Sequence, residues 1–366
     1  MNRAKVWFAA VLALIFLLSA SACTSNATTS SGENAAGGDL IGVAMPTQSL
    51  QRWNQDGDNM KKQLEEKGYQ VDLQYANNDI NTQITQLENM ITKQVKVLVI
   101  ASIDGSSLTD TLNKAADAGI KVIAYDRLLM NSPNVDYYAT FDNYKVGTIQ
   151  GQYVEEKLDL KNSAGPFNIE FTSGSPDDNN ALFFFNGAFD VLKPYIDSGK
   201  LIVPSGQTQF EQVATLAWDS ATAQARMDNI ITANYAGGAK LDAVVCSNDS
   251  TALGVEASLK NAGYGSADKP FPIITGQDCD KPNVAAMING EQSMSVFKDT
   301  RTLAAQVVSM VDAILKGVEV PVNDTATYNN GSKILPSFLC DPVFADKDNY
   351  KELLIDSGYY KESDLQ

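Results

Sequence analysis

The stretch Gly119-Ile-Lys-Val-Ile-Ala-Tyr-Asp-Arg127 decides the fold of this chain. The apolar, β-branched run at residues 120–125 is typical of a strand that is buried on both faces of a parallel sheet. Asp126 and Arg127 follow where the strand should leave the sheet. Because ligands of open α/β sheets bind beyond the carboxyl ends of the strands, this pair predicts a site for a small, hydroxyl-rich molecule. The alternative is a solvated ion pair at a strand end.

The residues before this strand alternate between strand and helix patterns. Three further apolar runs precede it, at residues 40–45, 69–75 and 95–101, and amphipathic helical segments separate them. This order, βαβαβαβ, predicts a doubly wound parallel sheet.

The second half of the chain alternates in the same way. Cys246-Ser-Asn-Asp249 and Gln277-Asp278 follow apolar runs there, much as Ala101-Ser-Ile-Asp104 and Tyr125-Asp126-Arg127 do in the first half. We therefore expect an α/β protein with two similar, doubly wound lobes whose acidic strand ends face one shared cleft.

The first residues of the chain have the pattern of a secretion signal. Arg3 and Lys5 precede an apolar run at residues 6–18, which is too short for a comfortable membrane span. Small residues then lead to Cys23. This arrangement resembles a bacterial lipobox, although Ala20 stands where leucine is preferred.

We expect residues 1–22 to be removed and Cys23 to become the lipidated first residue. The alternative is ordinary cleavage that leaves Cys23 as a free thiol. Residues 23–38 are rich in Ser, Thr, Asn, Ala and Gly, so they predict a flexible tether. The expected location is the extracellular face of the cell membrane, or the periplasm of a Gram-negative host.

The composition excludes several classes of function. The chain has 28 Lys and Arg against 44 Asp and Glu, a formal net charge of −16, which disfavours binding to nucleic acid. It has no histidine, so the usual general base and the commonest metal ligand are missing. Cys246, Cys279 and Cys340 lack metal-site spacing, and we expect neither a metal nor a cofactor.

Segments along the chain resemble the type I periplasmic-binding proteins of monosaccharide ABC importers, in particular the ChvE-type multiple-sugar-binding proteins and the xylose-binding proteins. The segments that carry this resemblance are Arg52-Trp53, Gln86-Leu-Glu-Asn-Met90, Val97-Leu-Val-Ile-Ala-Ser-Ile-Asp104-Gly, Val122-Ile-Ala-Tyr-Asp-Arg127, Phe141-Asp-Asn143, Gly174-Ser-Pro-Asp-Asp-Asn-Asn180, Gly276-Gln-Asp278 and Asn323-Asp-Thr325. They occur in the family's order and span nearly all of the chain after the tether.

The resemblance implies two lobes joined by a three-strand hinge, one of residues 40–142 with 299–324 and the other of residues 143–298 with 325–366. A sugar would lie between the lobes, which close over it. The positions that match the family's sugar contacts are Arg52, Trp53, Asp126, Arg127, Asn179, Trp218, Asn248, Asp249, Asp278 and Lys298.

The chemistry of these side chains agrees with that implication. Carboxylates and asparagine accept hydrogen bonds from ring hydroxyls, Arg and Lys donate them, and aromatic rings cover the C–H face. The chain has three tryptophans, Trp7, Trp53 and Trp218, and the two that follow the signal both match pocket positions. The alternative for either is simple packing in a core.

The leading hypothesis is a monomeric, lipid-tethered receptor that captures an aldopyranose, such as xylose, glucose, galactose or arabinose, and delivers it to the permease subunits of an ABC importer. One alternative is a sugar sensor that presents its closed form to a membrane receptor. Another is an extracellular glycosidase that uses Asp126, Asp249 or Asp278. Cytoplasmic repressors share the fold, but the signal sequence and the missing DNA-binding segment argue against them.

Overall fold

The structure, a computed structural model, describes residues 38–365. The predicted signal peptide, Cys23 and all but the last residue of the predicted tether lie outside the described residues. The strands are β1 Leu40–Met45, β2 Gln70–Tyr75, β3 Val97–Ile100, β4 Lys121–Tyr125, β5 Tyr137–Phe141, β6 Phe167–Thr172, β7 Leu201–Ile202, β8 Ala243–Cys246, β9 Ile273–Ile274, β10 Met294–Phe297, β11 Ser337–Cys340 and β12 Val343–Asp346.

Helices alternate with these strands through most of the chain. The helices are α1 Gln51–Glu66, α2 Ile80–Thr92, α3 Thr109–Asp117, α4 Asn143–Lys157, α5 Asn179–Asp197, α6 Phe210–Val213, α7 Ser220–Ile230, α8 Asp249–Asn261, α9 Lys281–Ile288 and α10 Thr300–Lys316. Short 3₁₀ or π turns lie at Leu216–Trp218, Ile231–Tyr235, Lys351–Asp356 and Glu362–Leu365.

Six parallel strands form the first sheet, in the order β11-β5-β4-β3-β1-β2. Alternate side chains of a strand face opposite sides. Val97 and Val99 of β3 pack with α1 and α10, whereas Leu98 and Ile100 pack with α2 and α3. Burial on both faces explains why the strands are continuous apolar runs and confirms the doubly wound arrangement.

The second sheet repeats this plan. Strands β7-β6-β8-β9 are parallel, and β10 pairs with β12 in an antiparallel ribbon. A parallel bridge between Gln277 and Val296 connects the region after β9 to β10. Phe171 of β6 packs with α4 and α5, and Val244 of β8 packs with α7 and α8. The expectation of two similar α/β lobes is therefore confirmed.

The chain passes between the lobes three times, but the last crossing differs from the expectation. Strand β11 runs parallel to β5, with Ser337 opposite Tyr138, so it belongs to the first sheet. Tyr328 and Leu335 lie in the core of the same lobe. The boundary expected at 324/325 is therefore wrong: hydrogen bonding to β5 keeps the chain in the first lobe as far as Cys340.

Strand β12, which pairs with β10, then returns the chain to the second lobe. The first lobe comprises residues 38–142 and 299–340, and the second comprises residues 143–298 and 341–365. Within residues 38–365, none of the helices has the length and apolar character that crossing a bilayer requires.

Candidate functional site

A cavity lies between the two lobes, at the carboxyl ends of their strands. Eight of the ten residues expected at the site line it: Arg52, Trp53, Asp126, Arg127, Trp218, Asn248, Asp278 and Lys298. The strand ends of both lobes thus converge as the sequence predicts.

Arg52 occupies the first turn of α1 and connects three carboxylates. Its Nε donates to Asp56 Oδ2 at 2.9 Å, its Nη2 donates to Asp126 Oδ1, and its Nη1 lies 3.3 Å from Asp278 Oδ1. Burial alone would lower the pKa of Arg52, but Asp126, Asp56 and Asp278 together raise it well above its usual value. The guanidinium therefore stays charged and contacts both lobes.

Asp126 is ionised although it is buried. Burial would raise its pKa, but Arg52, Lys298 and Arg127 outweigh that effect and lower it. Its backbone carbonyl accepts hydrogen bonds from Tyr138 Oη at 2.6 Å and Asn180 Nδ2 at 2.7 Å. Asn180 belongs to the second lobe, so this carbonyl is a second direct link between the lobes.

Arg127 faces the second lobe from the end of β4. Its Nη1 donates to the carbonyl oxygens of Ser102 and Ile103 at 3.0 and 3.2 Å. Its Nε lies 3.0 Å from Asp178 Oδ2, in an ion pair whose angle does not meet that of a hydrogen bond. Burial raises the pKa of Asp178, and the nearby charge of Arg127 opposes that rise.

Lys298 follows β10 and is 2 % exposed. Its Nζ lies 3.0 Å from Asp278 Oδ1 and 5.5 Å from the centre of the Phe184 ring. The carboxylate of Asp278 is thus shared between Lys298 and Arg52. A buried ammonium without such a partner would be costly, which explains why the strand end pairs these residues.

Two tryptophans form aromatic walls of the cavity. The guanidinium carbons of Arg52 and Arg127 each lie 5.1 Å from the centre of the Trp53 ring, which holds both cations by cation–π attraction. Trp218 packs edge-on against Phe184 at 6.2 Å. Trp7 lies outside the described residues.

The backbone is left-handed at three positions that line the cavity. Asp126, Trp218 and Asp278 have φ angles of 58°, 58° and 97°. Each such residue other than glycine costs about 1–3 kcal/mol, and such strain is concentrated at functional sites. These backbone conformations turn the side chains into the cavity as the strand or turn ends.

Asn179 and Asp249 were expected at the site but do not line the cavity. Asp178 caps α5 by accepting from Asn180 N at 3.0 Å, and it is Asn180, one residue later, that reaches the cavity. Asn179, at the first helical position, is only half-buried and does not line the cavity.

Asp249 is fully buried behind the cavity. Its carboxylate accepts from Gln292 Nε2 at 2.9 Å, from Ser295 Oγ at 2.9 and 3.0 Å and from Asp280 N at 2.8 Å. These bonds satisfy the carboxylate inside the second lobe. Burial, with Asp280 nearby, raises the pKa of Asp249 well above its usual value. Its contacts are those of a structural residue.

Five residues line the cavity that the sequence analysis did not name as site residues: Leu50, Asp178, Asn180, Phe184 and Gln277. Asp178 and Asn180 lie in the Gly174–Asn180 segment and Gln277 lies in the Gly276-Gln-Asp278 segment, so the sequence indicates these segments but not the individual positions. Phe184 of α5 packs in a core and also lines the cavity.

None of Asp126, Asp249 and Asp278 fits the role of the proton donor that a glycosidase needs. The pKa of Asp126 is lowered, and Asp249, whose pKa is raised, does not line the cavity. Asp278 is held between Arg52 and Lys298.

Two facing α/β lobes around a buried, charged cavity define a solute-binding protein of the periplasmic type. The family profile described as "Periplasmic binding protein domain" matches residues 41–319, and the chain belongs to this family.

Several characterised relatives share most of their length with this chain. The multiple sugar-binding periplasmic protein SbpA of Azospirillum brasilense is 56% identical over 326 residues, which are 89% of this chain and 91% of that protein. The D-xylose-binding periplasmic protein of Escherichia coli is 38% identical over 325 residues, 89% of this chain and 92% of that protein. These relatives are binding proteins, not enzymes.

A solved structure supports the same assignment. An ABC transporter solute binding protein from Clostridium phytofermentans, with bound β-D-glucose, is 63% identical and superposes with a TM-score of 0.87. The match covers 90% of this chain and 100% of that one.

Proposed function

We propose that this protein captures one aldopyranose, such as glucose, xylose, galactose or arabinose, in the cavity between its lobes and delivers it to the permease subunits of an ABC importer. The fold and the relatives named above support this proposal: two of them are named for sugar or xylose binding, and the solved structure holds glucose. The observation that carries it is the balance of charge in the cavity.

The cavity is lined by three cations and three carboxylates: Arg52, Arg127, Lys298, Asp126, Asp178 and Asp278. Equal numbers of each leave no excess charge to attract an anionic or cationic solute. An uncharged polyol, in contrast, presents hydroxyls that both donate and accept, and can hydrogen-bond to both kinds of side chain. The lining therefore favours a neutral, polyhydroxylated ligand.

Two further polar atoms of the lining support this proposal. Within residues 38–365, neither Trp218 Nε1 nor Gln277 Oε1 has a hydrogen-bond partner, although both atoms are buried. A buried donor or acceptor without a partner costs about 1–3 kcal/mol, which a ligand hydroxyl could recover. One donor and one acceptor beside the charged groups again match a sugar.

Calorimetry with a panel of D-glucose, D-xylose, D-galactose and L-arabinose tests the proposal. We expect micromolar binding, about −8 kcal/mol, to at least one of them, with a change in tryptophan emission because Trp53 and Trp218 line the cavity. D-Gluconate and glycine serve as charged or zwitterionic controls. No heat and no change in emission with any of the four aldoses would contradict the proposal.

We further propose that the protein is held at the outer face of the membrane by a lipid on Cys23, with residues 23–38 as a tether. The support is the sequence pattern before Cys23. Expression of the full chain in a bacterial host that is fed a labelled fatty acid should label the wild type. Cys23→Ser should abolish the label, whereas Cys340→Ser should retain it. Label that persists in Cys23→Ser would overturn the assignment.

A further inference from the structure

Tyr360 lies near the end of the chain, outside the cavity, and is 5 % exposed. Its ring packs in a core of the second lobe together with Cys279 and Leu354. Its hydroxyl, however, reaches the first lobe, where α1 begins. Tyr360 is therefore a side chain of one lobe that has polar contacts with the other.

The Tyr360 hydroxyl uses its full hydrogen-bonding capacity. It accepts from Gln51 Nε2 at 2.7 Å and from Gln55 Nε2 at 2.9 Å, both on α1. It donates to the backbone carbonyl of Cys279 at 2.9 Å. A hydroxyl has one donor and two acceptor positions, so all three are occupied, two by the first lobe and one by the second.

Two of these partners, Gln51 and Cys279, are adjacent in sequence to the two residues of the ion pair that crosses the cavity. Gln51 precedes Arg52, and Cys279 follows Asp278, while Arg52 and Asp278 are 3.3 Å apart. The amide of Gln51 is also fixed from its other end, because its Oε1 accepts from Lys281 N at 3.1 Å. Tyr360 thus connects the backbone segments that carry the two halves of the ion pair.

A neighbouring tyrosine supports the same junction. Tyr359 Oη donates to Gln55 Oε1 at 3.2 Å, and the two tyrosine rings pack edge-on at 4.7 Å. Burial raises the pKa of Tyr360 well above its usual value, so its hydroxyl remains a donor at neutral pH. We call Tyr360 with Gln51 and Gln55 the Tyr360 latch.

We propose that Tyr360 is a positioning residue that sets ligand affinity without touching the ligand: its hydroxyl joins the two lobes only when they are closed, and so holds Arg52 and Asp278 together. The inference rests on the proposed function, because it concerns the closure by which the sugar is captured. The bonds to Gln51 and Gln55 break if α1 moves away from the second lobe, whereas the bond to Cys279 stays within one lobe.

The apparent affinity of a protein that must close depends on how readily it closes. Contacts between the lobes that exist only in the closed form add to the stability of that form, whatever the ligand. Loss of the latch should therefore increase the rate of ligand release rather than decrease the rate of capture. It should also leave the preference among sugars unchanged, because no residue that lines the cavity is altered.

The test compares Tyr360→Phe with wild type in the mature chain. We expect an affinity for the best-bound aldose about tenfold weaker, which corresponds to the loss of hydrogen bonds of ordinary strength. Stopped-flow measurements of tryptophan emission should show that the weaker affinity comes from faster dissociation of the sugar. The thermal midpoint without sugar should change little, and the rise in midpoint on adding sugar should be smaller than in wild type.

Tyr195→Phe is the matched control. Its hydroxyl donates to Glu155 Oε1 at 2.7 Å within the second lobe, so this variant loses a tyrosine hydroxyl but no contact between lobes. It should bind sugar as wild type does. Gln51→Met, alone and combined with Tyr360→Phe, completes a double-mutant cycle. The two losses should add only in part, because both variants remove the bond between Gln51 and Tyr360.

Wild-type affinity and dissociation rate in Tyr360→Phe would overturn the latch, as would an equal loss in Tyr195→Phe or fully additive losses in the cycle. These results would leave the proposed function intact. If wild type itself bound none of the aldoses, the proposed function would fail instead, so the two failures can be told apart.

Discussion

Arg52 Nη1 and Asp278 Oδ1 lie 3.3 Å apart and join the two lobes across the cavity. Each is also paired within its own lobe, Arg52 with Asp56 and Asp126 and Asp278 with Lys298. The ion pair therefore belongs to a continuous chain of alternating charges that extends from α1 to the end of β10. Substitutions in this series of ion pairs should affect sugar binding more than folding, because the series crosses the interface between the lobes.

Two variants, Asp278→Asn and Asp249→Asn, distinguish the role of a residue that lines the cavity from that of a residue that stabilises the second lobe. Asp278→Asn should weaken sugar binding by about 2–3 kcal/mol, roughly 30- to 150-fold, because it removes the partner of two buried cations. Asp249→Asn should lower the thermal midpoint of the sugar-free protein, because its amide would oppose Gln292, Ser295 or the Asp280 N–H. Calorimetry and thermal unfolding measure the two effects.

Asp278→Asn should mainly weaken sugar binding, whereas Asp249→Asn should mainly lower thermal stability. If Asp249→Asn weakened sugar binding as much as Asp278→Asn without lowering the thermal midpoint, Asp249 would have to be returned to the set of ligand contacts.

Arg127→Ala should weaken sugar binding by about 3 kcal/mol, because a buried charged donor is lost and Asp178 is left buried without its counter-charge. The loss should be greater at pH 8 than at pH 5. Burial raises the pKa of Asp178, so in the variant this carboxyl is neutral at low pH and unfavourably charged at high pH. Calorimetry at the two pH values measures the difference.

Lys193→Ala is the control for Arg127→Ala, since it removes an exposed cation whose partner, Asp197, is one helical turn away. Its effect on binding should be negligible at both pH values. An equal loss at pH 5 and pH 8 in Arg127→Ala would show that Asp178 does not carry the pH dependence.

The sequence predicted the parts of the molecule that have a strong periodic pattern. The run at 120–125 is β4, it is buried on both faces as expected, and Asp126 and Arg127 do enter the cavity at its end. Alternation of apolar runs with helical segments was sufficient for both lobes, because parallel sheets buried on two sides require such runs.

The sequence could not predict features that depend on distant contacts. Strand β11 has only four residues and follows Pro336, so nothing local distinguishes it from a loop; pairing with β5 creates it. The choice between Asn179 and Asn180 depends on which residue caps α5, and helix boundaries are uncertain by one or two residues. A one-residue error there rotates a side chain away from the cavity.

Gly174→Ala should weaken sugar binding without changing any charge. A Cβ atom at Gly174 would lie 1.9 to 2.3 Å from three atoms of the Trp218 ring, so the indole must move. Because Trp218 is a wall of the cavity, we expect a loss of at least tenfold in affinity, about 1.4 kcal/mol or more, and a shift of tryptophan emission in the sugar-free protein. Gly237→Ala is the matched control, because a Cβ atom there meets nothing within 4 Å.

Wild-type affinity in Gly174→Ala, together with an unchanged emission spectrum, would mean that the position of Trp218 does not depend on this glycine.

Glu256→Gln should alter how stability depends on pH. Glu256 of α8 is 2 % exposed, and among residues 38–365 its Oε1 has no hydrogen-bond partner. Burial, opposed by Lys260, raises its pKa to about 7. Because this value exceeds the value in the unfolded chain, about 4.3, the folded protein holds the proton more tightly. The contribution of Glu256 to the free energy of unfolding is therefore full below about pH 4 and is lost as pH rises towards 7.

The amide introduced by Glu256→Gln cannot ionise. This substitution should therefore remove the part of the decrease in the free energy of unfolding with rising pH that is due to Glu256. Urea unfolding at pH 5 and pH 8 should show a smaller decrease in the free energy of unfolding for Glu256→Gln than for wild type, by about 2–3 kcal/mol. Other buried carboxyls titrate in both proteins and cancel in the comparison. Glu211→Gln, at an exposed position, should follow wild type. Equal pH dependence in Glu256→Gln and wild type would show that the carboxyl of Glu256 is not shielded from water in the folded protein.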